Sequence, residues 1–172
     1  MANIKIGDTI PEGTFMHVPW TPDLESKLAC GVPSKLDIHK EWKGKKVVLF
    51  SVPGAFTPTC HVNHLPGYLQ NFQELKNKGV DVIAVLAAND PFVMSGWGKV
   101  NGTKDKILTL SDGNANWSRS LGLVRPDSKD AALGMRTARY ALIIDDLVVK
   151  YIGVEPERGV TVSGVAAVLA NL

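Results

Sequence analysis

Two runs constrain the fold more than any other part of the sequence. Lys46-Val47-Val48-Leu49-Phe50-Ser51-Val52 and Val80-Asp81-Val82-Ile83-Ala84-Val85-Leu86 are apolar at nearly every position and rich in β-branched residues. A strand with one wet face alternates apolar and polar residues. A strand that is apolar throughout has to be covered on both faces. Helical patterns follow each run. Leu65, Tyr68, Leu69, Phe72 and Leu75 recur at helical spacing after the first, and Gly79 stops that helix. Asn89-Asp90-Pro91 opens another helix after the second, with Phe92 and Trp97 on it. The covers for both faces are therefore present in the chain itself.

The pattern continues downstream. Ile107 to Leu110 reads as a short strand, and Ala115 to Leu121 as a short helix ended by Gly122. Tyr140 to Ile144 and Leu147 to Tyr151 flank Asp145-Asp146 and read as a hairpin. Val162, Val165, Ala166, Leu169 and Leu172 form a last helical stripe. The order β-α-β-α-β-α-β-β-α predicts an α/β protein with a parallel core sheet, helices on both faces and a closing antiparallel pair. That is the thioredoxin-like plan. Residues 1–45 are expected as an appended N-terminal layer. A length of 172 residues suits one domain over 1–172.

Composition excludes several classes. With 45% apolar and 21% charged residues, the chain is not disordered, coiled-coil or collagen-like. A net charge of +2 gives no footprint for nucleic acid. The apolar runs are too short to span a bilayer, and the N-terminus lacks the pattern of a secretory signal. A cytoplasmic or organelle-lumen location, where thiols stay reduced, is the default expectation. Ala170-Asn171-Leu172 is a degenerate match to a Ser-Lys-Leu peroxisomal address, with Asn in the basic position.

The chain has only two cysteines, Cys30 and Cys60, too few for a disulfide scaffold or a four-cysteine zinc site. Cys60 ends the turn Pro53-Gly54-Ala55-Phe56-Thr57-Pro58-Thr59-Cys60, which joins the first strand to its helix. With Thr57 as N-cap and Pro58 at the first helical position, Cys60 falls third in the first turn. Free N–H groups and the positive end of the helix dipole favour thiolate there. The turn lies at the carboxyl end of a core strand, where α/β sheets place ligands. Thr57-Pro58-Thr59-Cys60 has Thr where a Cys-x-x-Cys motif has its first cysteine, so dithiol exchange within one motif is excluded. A lone activated thiol suits attack on a small electrophile such as a peroxide, with repair from elsewhere. Two other classes compete. Cys60, His61 and His64, with Cys30, could ligate a metal, and the chain could be a non-catalytic thioredoxin-like binding module.

Pro53-x-x-x-Thr57-x-x-Cys60 resembles the active-site pattern of the peroxiredoxins. His64-Leu65-Pro66-Gly67-Tyr68, Asn89-Asp90-Pro91-Phe92-Val93-Met94, Trp97-Gly98 and Val154-Glu155-Pro156 are similar to the type II, peroxiredoxin-5-like subfamily. The fungal alkyl hydroperoxide reductase group looks nearest. The resemblance implies a peroxidase that uses no cofactor or metal. It implies that Cys60 is the peroxidatic cysteine, that Thr57 hydrogen-bonds peroxide and sulfur, and that Pro53 shields the sulfur. The family's arginine falls on Arg139, with Arg136 a second basic candidate.

Some type II members carry a resolving cysteine where this chain has Val162. The resemblance to the fungal group implies instead that Cys30 of a partner subunit resolves Cys60 within a homodimer, and that thioredoxin reduces the bridge. A one-cysteine cycle served by glutathione or glutaredoxin is the alternative. Phe56, Phe92 and Trp97 are expected to line an apolar mouth for alkyl hydroperoxides. Trp20, Trp42 and Trp117 are expected in the core or an interface.

Overall fold

The computed structural model describes residues 2–125 and 133–172. Its strands are β1 Thr14–His17, β2 Ser34–Asp37, β3 Lys46–Ser51, β4 Val82–Ala87, β5 Leu108–Ser111, β6 Val124–Arg125, β7 Arg136–Thr137, β8 Tyr140–Asp145 and β9 Val148–Val154. The helices are α1 Ile38–Glu41, α2 Leu65–Gln70, α3 Phe72–Asn77, α4 Pro91–Asn101, α5 Asn116–Ser120 and α6 Val165–Ala170. Seven strands form one sheet in the order β2-β1-β5-β4-β3-β8-β9, and β6 and β7 form a separate pair. β3, β4 and β5 run parallel, and the hairpin β8–β9 closes antiparallel against β3. The expected thioredoxin-like plan is what the chain builds.

The two apolar runs are covered on both sides. Val47 and Leu49 of β3, with Ala84 and Leu86 of β4, enter one core cluster. Val48, Phe50, Ile83, Val85 and Ala87 enter the other. This is why neither run alternates.

Residues 1–45 are not a separate layer. β1 pairs with β2 and places Met16 opposite Ser111 of β5, so the segment extends the sheet. Phe15 anchors it, fully buried, with its ring centroid 6.2 Å from that of Trp42 and 5.3 Å from that of Trp117. A four-residue strand carries too little alternation to be seen in sequence.

Two other boundaries moved. The hairpin turns at Asp146-Leu147, not Asp145-Asp146, and both turn residues have positive φ (45° and 68°). Lacking glycine, the turn is held by tertiary bonds: Asp146 N–H donates to the Lys45 carbonyl at 3.1 Å, and Gly44 N–H donates to Asp146 Oδ1 at 2.7 Å. The helix expected through Leu75 breaks at Asn71, whose side-chain amide donates to the Gly67 carbonyl at 2.8 Å. By contrast, Asp90 opens α4 as expected. Its carboxylate accepts from the N–H groups of Phe92 and Val93, and Pro91 follows.

Candidate active site

β3 ends at Ser51 and the chain turns through Pro53 to Thr57. The turn is fastened at Asn89 and at Thr137. Ala55 N–H donates to Asn89 Oδ1 at 3.0 Å. Ser51 Oγ donates to Thr137 Oγ1 at 2.8 Å, and Thr137 Oγ1 donates to the Val52 carbonyl at 2.9 Å. Phe56 adopts φ 61°, a left-handed conformation that costs a non-glycine residue about 1–3 kcal/mol. Its ring stacks on His61 at 5.9 Å.

Helical structure begins at Pro58, and His61 N–H donates to the Thr57 carbonyl at 2.9 Å. Cys60 is thus third in the first turn. Thr57 does not cap through its side chain, however. Its hydroxyl donates to the Gly54 carbonyl at 2.8 Å, which leaves the oxygen lone pairs as acceptors. Cys60–His64 is a π-helical turn, in which Leu65 N–H donates to the Cys60 carbonyl. Pro66 supplies the reason. It has no N–H, and in a regular helix its ring would press on the Val62 carbonyl four residues back. A widened turn relieves that pressure.

Cys60 has no exposed surface. Arg139, just before β8, brings its fork to the sulfur: Nη2 donates to Cys60 Sγ at 3.3 Å, and Nη1 donates to His64 Nδ1 at 3.0 Å. Because Nδ1 accepts, the proton of His64 is on Nε2, which donates to the Ser163 carbonyl at 2.9 Å. Burial pushes His64 down to about 4, the bond to Ser163 opposes this, and the Arg139 charge adds to it. The imidazole is therefore neutral at physiological pH and able to accept. Phe50 and Tyr68 wall this side: their rings stack at 3.8 Å, and Tyr68 Oη donates to the same Ser163 carbonyl at 2.7 Å.

Of the residues singled out in the sequence, Cys60 and Arg139 meet directly. Thr57 lies one turn before the thiol, and Pro53 sits half-buried at the start of the turn. Arg136 goes elsewhere. Its Nε donates to the Leu133 carbonyl at 2.8 Å, and its guanidinium lies over Gly54. Cys30 is exposed on the loop before β2. Phe56 and Phe92 are 52% and 56% exposed, but Trp97 is not part of a mouth. It is fully buried, and its Nε1 donates to His61 Nδ1 at 2.9 Å. Trp42 and Trp117 lie in the core and Trp20 is half-buried. His61 and His64 thus point at different partners. Among the described residues no three His, Cys, Asp or Glu side chains group as metal ligands. His64 supports Arg139, a role its place in the subfamily-like run His64-Leu65-Pro66-Gly67-Tyr68 does not spell out.

A protein-family profile described as Redoxin matches residues 5–169, so the chain belongs to the redoxin family. Peroxiredoxin Pen c 3 of Penicillium citrinum is 49% identical over 146 residues, covering 84% of this chain and 83% of its own. Peroxiredoxin-2B of Arabidopsis thaliana is 41% identical over 172 residues, the full length of both. The crystal structure of reduced Prx3 from Vibrio vulnificus in complex with hydrogen peroxide superposes with a TM-score of 0.85 at 40% identity, covering 97% of this chain and 98% of the other. Within its family the protein is a peroxiredoxin, a thiol-dependent peroxidase. Among the described residues no helix is long and apolar enough to cross a membrane.

Proposed function

We propose that Cys60 is the peroxidatic thiol, that Thr57, Arg139 and Pro53 form its site, and that Cys30 of a second copy resolves it in a homodimer. The observation that carries this is the Arg139 Nη2 to Cys60 Sγ hydrogen bond at 3.3 Å, on the first turn of a helix. Substrates are hydrogen peroxide and alkyl hydroperoxides. The sulfur, as thiolate, attacks the outer peroxide oxygen. An S–O bond forms, the O–O bond breaks, and alkoxide or hydroxide leaves, taking from solvent a proton equivalent to the one the thiol lost on ionising, to give alcohol or water. Sulfur loses two electrons and becomes sulfenic acid. Negative charge moves from sulfur to the leaving oxygen, and the Arg139 guanidinium, already donating to the sulfur through Nη2, is the donor that stabilises it. Thr57 Oγ1, its own proton engaged by Gly54, has lone pairs free to accept a hydrogen bond from the peroxide O–H. Pro53 limits water at the sulfur.

The Cys30 thiolate then attacks the sulfenic sulfur. An S–S bond forms and hydroxide leaves as water. Cys30 is exposed and Cys60 is buried, so the Cys60 turn has to open before they can join. The strained Phe56 and the π-helical turn make this the segment most ready to do so. A dithiol of the thioredoxin type then reduces the bridge, and the reducing compartment is the cytosol or the peroxisome.

The test is a non-reducing gel after one equivalent of peroxide, run beside turnover with thioredoxin and with glutathione plus glutaredoxin. The expected result is a covalent dimer that disappears in Cys30→Ser, with thioredoxin the better reductant. The same dimer in Cys30→Ser, or turnover with glutathione alone, would replace this cycle with the one-cysteine form.

A further inference from the structure

Arg139 is held at both ends by one acidic residue that does not touch the thiol. Glu155, just past β9, donates its N–H to the Arg139 carbonyl at 2.9 Å, which fixes the arginine main chain. Its carboxylate takes four bonds from the following loop. Thr161 N–H and Oγ1 each donate at 2.6 Å, and Ser163 N–H and Oγ each donate at 2.7 Å. Burial pushes the Glu155 carboxyl up, but the bonds from Thr161 and Ser163 outweigh it, so the group is held below the usual range and stays charged. The loop so gathered aims the Ser163 carbonyl inward at His64 Nε2 and Tyr68 Oη. His64 in turn fixes the Arg139 guanidinium through Nδ1. The path closes on itself, because one residue sets the backbone of Arg139 and, through Ser163 and His64, its fork.

Two further features support this arrangement. Tyr151 Oη donates to the Val162 carbonyl at 2.6 Å and pins the loop beside Ser163. Gly153 lets β9 approach that loop, since a Cβ there would collide with the same carbonyl. A carboxylate with four donors is a stiff anchor, because each bond to an ionised acceptor is stronger than a neutral one. A guanidinium that has to follow charge between two atoms needs such stiffness.

We propose that Glu155 is a positioning residue for the peroxidase reaction, acting through Ser163, His64 and Arg139 on the peroxide held at Cys60. The proposal rests on the reading of Cys60 as the peroxidatic thiol. It assigns to the 155–163 loop, which lacks a cysteine, a role in the first step of the cycle.

The test measures the rate at which hydrogen peroxide oxidises Cys60 in the full-length reduced protein, with Glu155→Gln as the main variant. Gln keeps an acceptor for the loop N–H groups but loses the charge. The rate should fall about tenfold with a thermal transition near that of the parent. Ser163→Ala removes one of the four bonds and should lower the rate roughly two- to threefold. Nitrogen-15 NMR of the His64 ring supplies a readout that general loosening would not move. The parent should show the Nε2–H tautomer only, and Glu155→Gln a mixture of tautomers. An unchanged rate and a single tautomer in Glu155→Gln would overturn the proposal. If that variant fails to fold, an unchanged rate in folded Ser163→Ala would do the same. Peroxide reduction surviving in Cys60→Ser would overturn the underlying assignment of the thiol instead, whatever the Glu155 variants do.

Discussion

The two thiols of this chain stand in opposite surroundings. Cys60 is fully buried, bonded by Arg139, and reached through a turn fastened to Asn89 and to Thr137. Cys30 is exposed on a loop whose Leu28 and Val32 are 93% and 83% exposed. That loop is tied down chiefly by Lys99 of α4, whose ammonium donates to the Ser26 and Ala29 carbonyls, each at 2.8 Å. Gly31 also lets it lie against Val18. The difference matches what the two steps of the proposed cycle demand. A nucleophile that breaks an O–O bond gains from donors fixed in advance. A thiol that attacks a second sulfur gains from reach.

The contrast is open to test at either pole. The largest effect is expected at Arg139. Arg139→Ala removes the side chain that donates to the sulfur and should slow oxidation of Cys60 about 10²–10³-fold, measured by stopped flow under single turnover. Arg139→Lys should recover only part of this, because an ammonium has no fork to span sulfur and His64. A loss below fivefold would mean that the buried site owes little to preorganisation.

Acid should also distinguish the poles. His64 is held at about 4 in the fold against an ordinary 6.5, so between those values the unfolded chain binds more protons than the folded one. Stability contributed by neutral His64 is complete above pH 6.5 and falls as pH drops toward 4, by about 3 kcal/mol in all. Denaturant melts from pH 7 to pH 4 should show this, and His64→Gln should flatten the slope. At the other pole, burial also lowers His17 of β1, opposed by the Glu41 charge, so His64→Gln isolates the share of the buried site.

The smallest effect is expected at Lys99. Lys99→Met frees the Cys30 loop and should slow covalent dimer formation about threefold, leaving the reaction of Cys60 with peroxide at the parent rate. Slowing of the peroxide step instead would show that the loop and the buried site are one unit.

Much of this was legible in the sequence, and the reasons are local. Unbroken apolar runs specify a sheet covered on both sides, because burial on both faces admits no alternation. Thr57, Pro58 and Cys60 announce a helix start, because capping depends on neighbours a few residues apart. The N-terminal strands were missed because four residues carry no period. Trp97 was misplaced because a helical stripe does not say which of its residues face a mouth and which a core.

What the sequence by itself determined is the order of elements, the covered sheet and the thiol at a helix start, all set by the chain's nearest neighbours. What only the tertiary structure decided is the field around that thiol. Arg139 arrives from 79 residues away, and the Ser163 carbonyl that orients His64 from 99. Those contacts depend on the pairing of β8 between β3 and β9 and on how the loop after β9 folds back. They are side-chain and carbonyl directions, which no periodicity encodes.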